Sequence, residues 1–204
     1  MTKKKVLVTI IIVLLIGLSV LGVLYFKRDT KPNNPVVKTV DKIEEYNYSI
    51  KENDTELKKE KFKELKEILK EENVDTEKYA LKLAEIFAID VYDINSKNSK
   101  YDIGGLEYVI PEQKDKFKLK LQDTLYNNVQ DNFDKDRKQK LPIVTGVEAS
   151  VLKEEKYTID KKDYDCHSIK VVIDYKEDLG YDSTIVVKII EKDDKLFVVA
   201  VKPM

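Results

Sequence analysis

The pattern of hydrophobic and polar positions divides the chain into an uncharged N-terminal segment and a much longer mixed one. Residues 6–26, VLVTIIIVLLIGLSVLGVLYF, contain no charged side chain, and three lysines precede them at positions 3–5. A helix of this length rises about 30 Å, which is the thickness of the hydrocarbon core of a bilayer. The pattern therefore predicts a basic N-terminus over residues 1–5 and a transmembrane helix over residues 6–26, with the lipid bilayer as a partner.

The flanks of this segment bear on its processing and orientation. It ends in Val23-Leu24-Tyr25-Phe26, without the small residues of a signal-peptidase site, which favours an uncleaved signal-anchor over a cleaved signal peptide. Basic residues lie on both sides, so the positive-inside count is nearly balanced. A very short basic N-terminus before a long hydrophilic domain is typical of a signal-anchor whose domain is exported. We therefore expect a single-pass protein of the cell membrane with an extracytoplasmic head.

The segments after the predicted anchor are polar first and then amphipathic. Residues 27–40 contain two prolines and two asparagines without helical periodicity, which predicts a linker before a head over residues 41–204. Tyr46–Ile50 alternates apolar and polar positions, as a short strand does. Residues 56–71 carry their apolar side chains on one side and predict an amphipathic helix that packs on a core.

Two further helices are predicted in the first half of the head. The helix over residues 76–95 is apolar on nearly every side in its C-terminal half, so we expect it to be central. Pro111 opens a third helix, because proline at the first helical position sacrifices no hydrogen bond. Its apolar residues recur every four positions at Phe117, Leu121, Leu125 and Val129.

The pattern changes to a period of two after Pro142. Segments rich in Val, Ile and Tyr occupy about 143–158, 166–177, 183–192 and 195–202, and short polar dividers separate them. Short dividers between adjacent strands predict an antiparallel meander. Gly146 inside the first strand predicts a bulge that curves the sheet. The fold class is therefore α+β, with about three helices packed on a curved, cone-like meander and the central helix in its concave face.

Composition and charge exclude several classes of function. The chain carries 37 basic and 38 acidic residues. Five of the basic residues lie in residues 1–28, which have no acidic residue, so the rest of the chain is mildly acidic. No nucleic-acid partner is expected from such a balance. The single cysteine, Cys166, excludes an intrachain disulfide and a CxxC zinc site, and no HxH, HExxH or EF-hand spacing occurs. We predict neither a metal nor a cofactor.

Asp90 is the first candidate site residue. Its helical neighbours at i−4, i−3 and i+4 are Ile86, Phe87 and Ile94, so a carboxylate lies on an apolar face. A buried carboxylate has either a raised pKa or several hydrogen-bond donors. It therefore acts either as a general base or ligand-binding group in a pocket, or as a structural acceptor for backbone N–H groups of the adjoining loop. The structural interpretation is favoured.

His167 is the second candidate, and it is the only histidine of the chain. Counting by twos places it in phase with Ile169, Val171 and Ile173, at the start of the apolar face of its strand. Beside a carboxylate it would suit acid–base work; otherwise it belongs to the rim of the sheet. Cys166 lies on the opposite face, which argues against a Cys–His pair.

The stretch YDIGGLEYVIP, residues 101–111, pairs Gly104 with Gly105. It lacks the Lys-Ser/Thr of a phosphate-binding P-loop and follows a helix instead of a strand, and no GxGxxG is present. A chain reversal that needs φ > 0 explains the pair better. We predict a structural loop in which Asp102 accepts the backbone N–H of Gly104 in an Asx turn, while Leu106, Tyr108 and Ile110 reach the core.

Residues 87–129, FAIDVYDINSKNSKYDIGGLEYVIPEQKDKFKLKLQDTLYNNV, resemble small membrane-anchored proteins of low-GC Gram-positive bacteria. The order of helices and then a meander is similar to the nuclear-transport-factor-2-like (NTF2-like) cone fold. That fold also forms the extracytoplasmic heads of single-pass components in conjugation and type IV secretion machines. The resemblance carries no catalytic signature and implies a scaffold more than an activity.

Three functions follow as hypotheses. The first is a non-enzymatic module that docks another envelope protein or assembles with copies of itself. The second is ligand binding in the cone, which needs a pocket of at least about 300 Å³. The third is an acid–base enzyme that uses Asp90 with His167 or a tyrosine, and it requires those side chains to converge. The sequence favours the first over both others.

Overall fold

The computed structural model describes residues 37–204. The predicted basic N-terminus, the predicted span over residues 6–26 and most of the predicted linker lie outside the described residues. Within residues 37–204 no helix is both long and apolar enough to cross a membrane.

Three helices and six strands make up the described part of the chain. The helices are α1 (Glu56–Ile68), α2 (Thr76–Tyr92) and α3 (Lys114–Asp123), and short 3₁₀ turns cover Ile94–Ser96 and Pro111–Gln113. The strands are β1 (Thr39–Ile43), β2 (Tyr48–Lys51), β3 (Val144–Ile159), β4 (Lys162–Tyr175), β5 (Thr184–Lys192) and β6 (Lys195–Pro203). The predicted α+β class is confirmed at this level.

Side-chain caps begin the first two helices. The Thr55 side chain accepts the backbone N–H of Lys58 ahead of α1, and the Asp75 side chain accepts that of Lys78 ahead of α2. Every residue from Leu83 to Tyr92 is buried, so the prediction that this helix is central is confirmed. It ends at Tyr92, three residues earlier than predicted, and a 3₁₀ turn continues the chain.

Pro111 opens a 3₁₀ turn, and α3 begins only at Lys114. The observed helix is therefore shorter than the apolar stripe that predicted it. Leu121 is buried inside the helix, whereas Val129 is buried just after the turns that follow it. The backbone N–H of Tyr126 reaches back to the carbonyl oxygen of Leu121 at 2.9 Å, which closes the helix and directs the chain onto the core.

Strands β3 to β6 form a four-stranded sheet in sequence order, and every neighbouring pair is antiparallel. The predicted meander is thus confirmed. The register shifts between Val144 and Gly146, where a bulge was predicted, and again between Val151 and Lys153. A third irregularity lies where Lys188 and Ile189 of β5 pair with Ala200 and Val198, which leaves Val199 of β6 as the extra residue. The sheet packs its apolar face on α2 in one continuous core.

Two pairings were not foreseen. Strand β1 pairs antiparallel with β2 and begins at Thr39, inside the segment interpreted as linker, so ordered structure starts before residue 41. The predicted strand at Tyr46–Ile50 corresponds to β2. Val109 forms a parallel bridge to Val198 on the outer edge of β6, with hydrogen bonds of 2.8 and 3.1 Å on either side. This bridge fixes the end of the glycine loop to the sheet.

A charged cleft as the candidate functional site

A cleft of about 160 Å³ opens between β2, α1, the end of α2 and the loop over residues 97–107. Asp90, Lys58 and Lys97 line it together with Asp54, Glu107 and the two adjacent glycines of the loop. The first three side chains come from α2, α1 and the segment after the 3₁₀ turn, in that order. Their residues are 9, 5 and 8 % exposed respectively, which is far below the exposure usual for charged side chains.

The Asp90 carboxylate is held by three donors. Its Oδ1 atom lies 2.8 Å from Lys97 Nζ and 3.0 Å from Lys58 Nζ. Its Oδ2 atom accepts the backbone N–H of Gly105 at 2.7 Å. The loop amide is the donor that the structural interpretation of Asp90 requires. Both carboxylate oxygens are therefore engaged.

The cluster is ionised at neutral pH. Burial acts most strongly and opposes the charge on Asp90, but Lys97, Lys58 and the Gly105 amide together hold the pKa of its carboxyl group well below the ordinary value. Burial likewise disfavours the two ammonium groups, yet Asp90 raises the pKa of both lysines above the ordinary value. Asp54 supports Lys58 at 3.1 Å.

The two lysines were missed in the sequence. A signal existed for Lys58, which stands four and seven residues before Phe62 and Leu65 and so shares the buried face of α1. No comparable signal marks Lys97, because its position depends on how the chain turns after α2.

The two loop glycines have different structural reasons. Gly105 has φ of +75°, as predicted, and a Cβ atom there would lie 2.6 Å from Val91 Cγ2 and 3.0 Å from the ring of Phe87. Gly104 does not have a positive φ. Its Cβ atom would instead overlap the carbonyl oxygen of Asp90 at 1.8 Å, so glycine is required there by close approach.

Asp102 does accept a backbone N–H, but the predicted donor, Gly104, is wrong. Its Oδ2 atom accepts the backbone N–H of Asn98 at 2.9 Å, because the Asp102 N–H bonds back to Ser99 and turns the residue toward the preceding segment. Tyr108 is buried as expected, and so is Ile110. Leu106 is only partly buried and lines the cleft, so it does not reach the core.

Glu107 is a further carboxylate of the cleft. Its Oε2 atom accepts both the backbone N–H and the hydroxyl of Ser49 at 3.2 Å. Burial raises the pKa of this carboxyl group above the ordinary value, and the Tyr108 hydroxyl, Lys58 and the Ser49 contact offset that effect in part. It links the glycine loop to β2.

His167 lies in a different cavity. That cavity measures about 350 Å³ and is open to solvent, and Glu154 and Cys166 also line it. The Nδ1 atom of His167 is 3.9 Å from Glu154 Oε1 and makes no hydrogen bond within residues 37–204. The structure therefore does not bring Asp90 and His167 together. In the same described range no group of three or more His, Cys, Asp or Glu side chains is arranged to hold a metal ion.

We expect Asp93, the C-cap residue of α2, to make stability depend on pH. Its Oδ2 atom is buried without a hydrogen-bond partner among the described residues, and burial, offset in part by Lys97, raises its pKa to about 6. The folded state keeps this proton between about pH 4 and 6 while the unfolded state loses it, so stability falls as pH rises through this window. Between pH 4 and pH 7.5, the free energy of unfolding of Asp93→Asn should therefore rise by about 2 kcal/mol relative to that of wild type.

Urea unfolding of the full chain in detergent, followed by circular dichroism at both pH values, measures this difference. The exposed Asp131→Asn is the matched control and should track wild type at both pH values. A difference between Asp93→Asn and wild type that stays constant with pH would contradict the assignment.

Comparison of the chain with protein families, with curated proteins and with solved structures finds no match in any of the three. The functional conclusion therefore depends on the geometry of the described residues and on the sequence pattern.

Proposed function

We propose that the protein is a membrane-tethered, non-enzymatic interaction module of the bacterial cell envelope, whose head assembles with a second copy through the outer edge of β3. The predicted span over residues 6–26 supplies the anchor, and the head is placed outside the cytoplasm. The observation that carries the proposal is the free edge of β3.

Strand β3 stands first in the order of its sheet and pairs only with β4. It is 16 residues long, whereas strands usually have about 3–10 residues. Within residues 37–204 no segment pairs with its outer edge. A free edge presents unpaired backbone N–H and C=O groups, which form a template for pairing with another strand.

The same strand exposes adjacent apolar side chains. Val151 is 37 % exposed and Leu152 is 46 % exposed. Leu152 is the extra residue at the bulge, since Val151 pairs with Ile169 and Lys153 pairs with Ser168. A bulge re-aims a side chain and increases the local twist. An apolar contact is therefore available at the middle of the edge.

A second copy suits this edge by symmetry. An antiparallel pairing of two β3 strands centred on Leu152 brings the exposed Leu152 side chains of the two copies next to each other. Such a pairing is two-fold symmetric, which is the commonest arrangement of oligomers. An anchor that confines copies to one membrane also raises their effective concentration.

We propose further that the head is cone-like and of the NTF2-like type. Three observations support this proposal. The helices precede the meander, α2 lies buried against the sheet, and three irregularities interrupt the strand register, which bends strands.

The alternatives have less support. Acid–base catalysis needs a carboxylate and a partner in one pocket, but both oxygens of Asp90 are engaged and His167 lines a separate cavity. Ligand binding under the sheet would need space around α2, where every residue from Leu83 to Tyr92 is buried. The cavity that contains Asp90 opens beside the glycine loop instead.

Cysteine crosslinking of the full chain in membranes tests the edge. In a Cys166→Ser background, Leu152→Cys should give a disulfide-linked dimer on mild oxidation. Residues opposite each other in an antiparallel pair have Cα atoms about 4.5–5.5 Å apart, which a disulfide bridges. Leu119→Cys on α3 is the matched control, because Leu119 is also an exposed leucine, at 60 %, and it should remain monomeric.

Each other outcome decides against part of the proposal. Equal dimer yields at positions 152 and 119 would indicate random collision, and no dimer at position 152 would exclude self-pairing through β3. A specific adduct of position 152 with a different protein would keep the edge as the interaction site but replace the second copy as the partner.

A further inference from the structure

We infer that the charged cleft binds a small zwitterion of the amino-acid class, with its carboxylate on the ammonium groups of Lys58 and Lys97 and its amino group on Glu107. The inference uses none of the residues of the β3 edge. It is therefore independent of the proposed assembly.

The two ammonium groups of the cleft have more N–H donors than the protein oxygens that contact them can accept from. An ammonium group donates three hydrogen bonds. Lys97 Nζ bonds only to Asp90 Oδ1, at 2.8 Å, among the described residues. Lys58 Nζ contacts Asp90 Oδ1 and Asp54 Oδ1 at 3.0 and 3.1 Å. Three N–H groups on nearly buried ammoniums thus face no protein acceptor in residues 37–204, and a ligand oxyanion would satisfy them.

The charge balance selects against a simple anion. Lys58 and Lys97 contribute two positive charges, and Asp54 and Asp90 contribute two negative ones in contact with them. A bare anion would add an uncompensated negative charge beside these carboxylates, where the dielectric constant is low and repulsion is strong. A ligand that brings its own positive charge adds no net charge to the cleft, whose lining also contains the carboxylate of Glu107.

Glu107 supplies the place for that positive charge. Ser49 engages only its Oε2 atom, and the neighbouring Tyr108 hydroxyl lowers the pKa of this carboxyl group. It lines the same cleft as both lysines. A carboxylate with a free oxygen is the usual partner of an amino group.

The size of the cleft limits the ligand. Its volume of about 160 Å³ is below the roughly 300–1,000 Å³ of pockets for drug-sized molecules. A ligand of only a few heavy atoms is therefore expected, and a free amino acid is of this size.

Isothermal titration calorimetry on the full chain in detergent micelles tests the class of ligand. The probes are glycine and 4-aminobutyrate as zwitterions of two lengths, acetate as an anion and ethylamine as a cation. We expect at least one zwitterion to bind with one-to-one stoichiometry and at least tenfold more tightly than acetate or ethylamine. The inference is overturned if neither zwitterion binds by about 10 mM, or if acetate or ethylamine binds equally well.

Two variants test the residues. Lys97→Gln should weaken zwitterion binding at least tenfold. Glu107→Gln keeps an oxygen for Ser49 but removes the charge. It should therefore weaken zwitterion binding and reduce the ratio of zwitterion affinity to acetate affinity. The exposed Glu60→Gln on α1 is the matched control and should bind as wild type does.

The change in preference separates a binding role from a structural one. If Lys97→Gln does not fold, the binding preference of Glu107→Gln alone tests the inference. An unchanged preference in Glu107→Gln overturns the inference.

Discussion

Replacing Asp90 with asparagine is expected to destabilise the head by about 3–5 kcal/mol, which is typical when one partner of a buried ion pair is removed. The substitution leaves two nearly buried ammonium groups, of which Lys58 keeps the carboxylate of Asp54 and Lys97 keeps no ion-pair partner among the described residues. The asparagine amide also has one donor end. That end must face either the ammonium groups or the backbone N–H of Gly105, so a donor meets a donor in both orientations.

Urea unfolding of the full chain in detergent at pH 7, followed by circular dichroism, measures the effect. Asp131→Asn, the exposed change of the same chemistry, should lie within about 0.5 kcal/mol of wild type. Because the folded-state pKa of Asp90 is lowered, its contribution is complete above the ordinary carboxyl pKa of about 4 and is lost as pH falls below it. A penalty below about 1 kcal/mol at pH 7 would show that the cluster is solvated.

Replacing Gly105 with valine is expected to destabilise the head by about 3–5 kcal/mol, through two separate effects. The first is the positive φ of 75°, which a β-branched residue adopts only at a cost. The second is overlap with Val91 and Phe87, which are packed in the core and cannot move aside freely.

Gly180→Val separates these effects, because Gly180 has a similar φ of 78° but nothing within 4 Å of the added Cβ atom. It should lose only about 1–2 kcal/mol, the cost of the left-handed conformation. Parallel urea titrations of both variants give the comparison. Equal losses at the two positions would mean that core packing contributes nothing at Gly105.

The sequence by itself determined the elements whose signals are local. Thr55 and Asp75 cap helices through hydrogen bonds to residues three positions later, and these caps can be read in one turn of chain. The period of two after Pro142, broken by short polar dividers, likewise determined the meander. Gly146 marked a bulge and Gly105 a positive φ, because few other residues tolerate such backbone conformations. Helical spacing also placed Asp90 on a buried face.

Only the tertiary structure decided which distant groups meet. It brought Lys58 and Lys97 to Asp90 from two other segments, turned Asp102 away from Gly104 and kept His167 in another cavity. It also paired β1 with β2, so that a strand begins at Thr39 inside a segment that reads as linker. The physical reason is the same in each case. Local propensity sets the conformation of a few consecutive residues, whereas the burial of apolar surface sets how elements pack, and that packing alone determines which charges become neighbours.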